Sequence, residues 1–157
     1  MRFFVVCPGG LEIPLAQELA EIAARPDCKA LGVWVIDQTP TSPTGGIGLS
    51  GPLSAAMALN LHSRIASRVL LQMAQAPYRQ EDDLYKLAGG LAWEDWFSSQ
   101  QTLRVDVTAH RSPLKSLNFA TLKIKDAIVD RLRDLTGDRP SIDTTFPDIR
   151  EIGRAHV

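Results

Sequence analysis

Six basic side chains, Arg111, Lys115, Lys123, Lys125, Arg131 and Arg133, crowd one stretch that holds only Asp126 and Asp130 as acids, a local charge of +4 in a chain of net charge −1. Lysine and arginine on a loop and helix start can neutralise phosphates without reading base identity, and such contacts dominate nucleic-acid affinity. The same spacing also suits a solvated helix face paired with itself at i,i+3 and i,i+4, and charge alone favours that reading for Lys123 through Arg133. Arg111 and Lys115 have fewer acidic neighbours and are the stronger phosphate candidates. Arg64, Arg68 and Arg79 form a second, acid-free basic stretch. They suit phosphates or, equally, braces to Glu81, Asp82 and Asp83.

Other chemistry is sparse. His62, His110 and His156 are scattered, with no carboxylate or cysteine at a spacing that makes a metal ligand or catalytic partner. Cys7 and Cys28 lack Cys or His neighbours at ligand spacing, so neither a zinc site nor a disulfide framework is expected, and a reducing, cytoplasmic compartment fits. Trp93, Trp96 and Phe97 suit packing better than base stacking. Pro8-Gly9-Gly10 reads as a strand-to-helix turn, too short and lysine-free for a phosphate loop.

The elements that must position these residues follow from periodicity. Arg2 to Cys7 reads as a buried strand, and Leu11, Leu15, Leu19 and Ile22 as a helix ended by Arg25-Pro26. Ala30 to Ile36 suits a second strand, Ile47 to Ser50 a third, and Gly51-Pro52 opens a helix with Leu53, Met57 and Leu61 as its apolar stripe. Ser67 to Met73 makes a fourth strand, completing a βαββαβ order of the ferredoxin-like kind. That order sets Cys7 and Cys28 at opposite edges, against a disulfide. After a boundary near Ala76 to Gln80 come a short helix capped by Glu81-Asp82-Asp83, a helical turn at Trp93 to Phe97, an alternating strand from Leu103 to Ala109, and a long helix from Leu117 to Thr136. Leu117, Ala120, Ile124, Ala127, Ile128, Leu132 and Leu135 line one face of that helix, with Leu122 and Val129 a weaker second stripe. A single strand beside one helix cannot satisfy its own backbone, so the second unit reads as incomplete. With 157 residues, 45% hydrophobic and 22% charged, the chain is a soluble α+β protein, with disorder and membrane spans excluded.

Three strings carry a family resemblance: Leu61-His62-Ser63-Arg64-Ile65-Ala66-Ser67-Arg68-Val69-Leu70-Leu71; Asp83-Leu84-Tyr85 with Trp93; and Lys123-Ile124-Lys125-Asp126-Ala127-Ile128-Val129-Asp130. With Arg139-Pro140-Ser141, Asp143 and Pro147-Asp148-Ile149-Arg150, they resemble the N-terminal part of bacterial THUMP-containing ribosomal RNA methyltransferases of the large-subunit guanine-N2 type. The resemblance spans Met1 to Arg150. It implies a ferredoxin-like domain over residues 1–75 and an incomplete RNA-binding THUMP domain over 76–150. The family's next domain is a catalytic one dependent on S-adenosylmethionine. One departure is Ser116-Leu117-Asn118, where the family usually shows Asn-Ser-Gln. The sequence also has no glycine-rich strand-to-helix turn for that cofactor and no Asn-Pro-Pro-aromatic element to grip a target base. The expectation is therefore a cofactor-free targeting module, inactive alone, that binds structured ribosomal RNA and is joined in cis to a missing C-terminal methyltransferase domain. Its expected RNA contacts are Arg111, Lys115, Lys123, Lys125, Arg64 and Arg68, with no metal and no membrane. A stand-alone protein-interaction domain and a THUMP module of a tRNA-modifying enzyme remain alternatives.

Residues 151–157, Glu151-Ile152-Gly153-Arg154-Ala155-His156-Val157, resemble the in-frame translation of a common sequencing adapter, and are expected to be a non-native tail.

Overall fold

A computed structural model describes residues 1–38, 44–110, 113–114 and 116–156. The chain divides into two compact units, Met1–Met73 and Ala74–Val157.

In the first unit the short apolar run at the amino terminus becomes β1 (Arg2–Val6), followed by α1 (Glu12–Ala24), α2 (Pro26–Lys29), β2 (Val35–Ile36), β3 (Gly46–Ser50), α3 (Leu53–His62) and β4 (Arg68–Leu71). The four strands lie in the order β2-β3-β1-β4, each antiparallel to its neighbour. This is the expected ferredoxin-like arrangement. Phe3 and Val5 of β1, Ile47 and Leu49 of β3, Leu15 and Leu19 of α1, and Leu59 of α3 meet in one buried cluster. Gly46 permits the β1–β3 approach, because a Cβ there would fall 2.3 Å from the Val5 carbonyl oxygen.

Two expectations here are corrected. The strand expected over Ala30 to Ile36 shrinks to Val35–Ile36: a short helix over Pro26–Lys29, with Pro26 pre-set in its first turn, runs into a turn at residues 30–31 before the chain extends. Leu53, Met57 and Leu61 do not pack: they are exposed, and α3 seats Ala55, Ala56, Ala58 and Leu59 in the core. Small residues let the helix approach the sheet closely, and the larger side chains fall on the far face. Cys7 and Cys28 are both buried, and neither is joined in a disulfide.

The second unit contains α4 (Glu81–Gly89), a 3-10 turn (Trp93–Asp95), β5 (Leu103–His110), α5 (Leu117–Thr136) and β6 (Ile149–His156). A capping box starts α4, with the Gln80 and Asp83 side chains each bonded to the other's backbone. Ser116 caps α5 by accepting from the Phe119 N–H, and Gly137 at φ 81° ends it. Ala120, Ala127, Ile128 and Leu132 form the buried face of α5, while Leu117 and Leu135 at the stripe's two ends are exposed. The expectation of one lone strand is overturned: β6 pairs in parallel with β5 from Leu103↔Ile149 to His110↔His156. The pairing is a backbone ladder, and the sequence Ile-Arg-Glu-Ile-Gly-Arg-Ala-His lacks the clean apolar alternation that would announce it.

Candidate nucleic-acid interface

In the first unit Glu18 shapes the loop that presents the arginines. Its buried carboxylate accepts from the Ser63 hydroxyl at 2.5 Å and from the backbone N–H groups of Arg64 at 2.9 Å and Ile65 at 3.2 Å. Burial alone would raise this carboxyl, but those donors outweigh it and hold it below the ordinary glutamate range. With its backbone pinned, Arg64 turns its side chain outward, 89% exposed and 3.8 Å from Glu18 at its nearest. Arg68 opens β4 opposite Val6, is exposed, and has no ion pair among the described residues. Arg79, also exposed, donates its backbone N–H to Asp83. In the second unit, the Arg79 guanidinium charge adds to the backbone N–H groups of Arg79 and Gln80, which chiefly hold the Asp83 carboxyl below the ordinary aspartate range.

The Pro8-Gly9-Gly10 turn is likewise self-contained. Glu12 accepts from the Gly10 N–H at 2.8 Å and, across to the next loop, from the Gly45 N–H at 2.9 Å. The Gly45 bond chiefly lowers its carboxyl.

In the second unit most cations of α5 already have acids. Lys123 reaches Asp82 of α4 at 2.6 Å and lies 5.8 and 5.4 Å from the ring centroids of Tyr85 and Phe119. Lys125 pairs with Asp126 at 2.9 Å. Arg131 clasps Glu94 through two hydrogen bonds and donates to the Gly89 carbonyl, and that clasp draws the Glu94 carboxyl down to about 2. Arg133 bridges Asp130 and Asp134, each at 3.0 Å, and Tyr85 donates to Asp130 at 3.0 Å. This charge is taken up partly along α5, by Lys125–Asp126 and by Arg133 with Asp130 and Asp134, and partly across to α4 and the 3-10 turn; Lys123–Asp82 and Arg131–Glu94 were not legible from spacing. The acidic first turn of α4 was the visible clue to Asp82. Arg111 and Lys115 lie outside the described residues.

The aromatics divide. Trp93 and Phe97 are buried edge to face at 6.2 Å, with the Trp93 indole donating to the Ala88 carbonyl, whereas Trp96 is 49% exposed. Trp34 packs on the first unit's core.

One metal-capable group occurs among the described residues: a carboxylate oxygen of Asp27, the Cys28 thiol and a His62 ring nitrogen lie within 4.8 Å of one another. No described helix is long and apolar enough to cross a membrane.

The RlmL ferredoxin-like domain family matches residues 2–70 and the THUMP domain family residues 78–150. The chain is 38% identical over 150 residues to the ribosomal RNA large subunit methyltransferase K/L of Syntrophotalea carbinolica, covering 96% of this chain and 19% of that protein. It is 36% identical to the K/L methyltransferase of Pseudomonas aeruginosa over 149 residues, again 19% of the relative's length. The chain thus spans about a fifth of the curated relatives it matches. Among solved structures, a predicted N6-adenine-specific DNA methylase from Listeria monocytogenes superposes with a TM-score of 0.74 at 21% identity, over 99% of this chain and 37% of that one. SMU.472, named as a methyltransferase and solved complexed with SAH, gives 0.68 at 18% identity, over 99% of this chain and 38% of that one. At those identities the likeness concerns the fold.

Proposed function

Because this chain belongs to the family of THUMP-containing bacterial large-subunit ribosomal RNA methyltransferases, as a ferredoxin-like plus THUMP part of it, we propose that it is the RNA-targeting module of such an enzyme. The observation that carries the reading is the THUMP match over the same stretch that holds the basic loop and helix. The substrate would be structured ribosomal RNA in the cytoplasm, gripped through phosphates and shape. Tethering such a grip to a catalytic domain in cis raises the target's effective concentration at the active site.

S-adenosylmethionine would serve that further domain. The residues present here do not fit it: β5 and β6 form the one parallel pair among the described residues, and the segment from Arg111 to Ser116 that leaves β5 contains no glycine.

Exposure and pairing rank the contacts. Arg64 and Arg68 are open to solvent, and Arg111 and Lys115 have few acidic neighbours in sequence. Lys123 and Lys125 contribute by exchanging Asp82 and Asp126 for phosphate. Filter binding of the chain to a structured large-subunit rRNA fragment at low and high salt tests the reading. Retention that falls steeply with salt is the expected result. No retention at low salt would favour protein docking through the exposed Leu122 side of α5.

A further inference from the structure

The geometry points to a transition-metal site of the zinc class formed by the Asp27 carboxylate, the Cys28 thiolate and the His62 imidazole, with its fourth position open to solvent. It lies wholly within the first unit and is independent of RNA binding.

Asp27 and Cys28 are neighbours in sequence, and His62, 34 positions beyond Cys28, joins them only by folding. Pro26 starts α2 and the Cys28 N–H bonds the Arg25 carbonyl at 3.1 Å, which turns the Cys28 side chain into the core at 1% exposure. His62 is the last residue of α3, and its Nε2 stands 3.7 Å from Asp27 Oδ2. Bond lengths of about 2.0–2.3 Å around a tetrahedral zinc put neighbouring donors roughly 3.3–3.8 Å apart. The imidazole–carboxylate edge already meets that spacing, and the remaining edges, within 4.8 Å, close by small side-chain rotations. The donor set decides the class of ion: thiolate and imidazole select zinc or cobalt over magnesium or calcium, which require oxygen ligands. Thiolate and carboxylate together also neutralise a divalent charge.

A cation already stands against two of these ligands. The Arg25 guanidinium pairs with Asp27 at 3.2 Å and interacts with Cys28. Its side chain is 47% exposed, so it can swing into water when an ion takes its place. On binding, Cys28 loses its proton to solvent, the imidazole coordinates as the neutral base, and no oxidation state changes.

The test uses the whole chain with cobalt(II) alone as a spectroscopic probe and zinc(II) as competitor. One equivalent of cobalt should give a thiolate-to-metal charge-transfer band in the near ultraviolet, bleached by zinc, and zinc should raise the Tm. Cys28→Ser and His62→Gln should lose the band, His110→Gln should keep it, and Arg25→Gln should tighten binding several-fold. Because Cys28 is in the core and its variant can misfold, the surface changes at His62 and Arg25 decide. Absence of the band, its survival in His62→Gln, or unchanged affinity in Arg25→Gln would overturn the site.

Discussion

The two units handle charge in opposite ways. The first takes carboxylates inside: Glu12 and Glu18 are buried at 5% and 7% exposure and spend themselves on backbone N–H groups of the turns around Gly10, Gly45, Arg64 and Ile65. The second keeps most of its charge outside, in pairs that clasp α5 to α4 and to the turn after it; the exception is Glu151 of β6, whose carboxyl burial pushes up to about 6. Buried carboxylates fix loops, because each orphaned donor would cost desolvation. Exposed pairs are weak and screened, so a polyanion can exchange their partners at little cost. The contrast separates a scaffold from a surface open to a ligand. Arg64 combines the two styles, on a loop pinned by Glu18 but facing water, while Arg68 is exposed at the start of β4.

The largest test of the contrast is in the cores. Thirteen buried residues form the first unit's cluster, whereas eight hydrophobic residues of the second unit are buried among those described. Leu59→Ala and Ile128→Ala, both at fully buried positions, should each cost about 2–5 kcal/mol. Hydrogen exchange should show β1 amides still protected in Leu59→Ala, and β5 amides losing protection in Ile128→Ala. Equal losses in both units would break the comparison.

Next in size is Glu18. Its carboxyl is lowered in the fold, so its contribution is present above the unfolded pKa and is lost as pH falls through the folded value. Acid should therefore begin to erode the first unit's stability below about pH 4.3. Glu18→Gln should cost about 1–3 kcal/mol near neutrality by weakening the acceptor of three donors. It should also flatten the acid limb of a denaturation-against-pH curve. The same change at Glu94, solvent-screened in its pair, should move stability less; a larger effect at Glu94 would reverse the assignment of roles.

Sequence legibility cut across that division. β1, α1, β3 and α5 were readable because a Pro-Gly-Gly stop, a leucine period, a short apolar run and a glycine end are local facts. The packing face of α3 was not, since its core contacts are alanines and the eye follows Leu53, Met57 and Leu61. β2 was overestimated because β-branched residues there were weighed without the helical start that Pro26 favours. β6 was missed because parallel pairing needs a backbone partner and no side-chain period. At the candidate site, the basic residues were visible but their partners across α4 and α5 were not, and His62 joins the adjacent Asp27 and Cys28 only in three dimensions.

The smallest changes to the fold bear most directly on function. Filter binding of a structured large-subunit rRNA fragment across a salt series, comparing the unaltered chain with Arg111→Glu/Lys115→Glu, tests the proposal that this basic loop holds RNA phosphates. The account predicts weaker binding and a log–log salt slope shallower by about 2, one for each lost contact. Unchanged affinity and unchanged slope would contradict it.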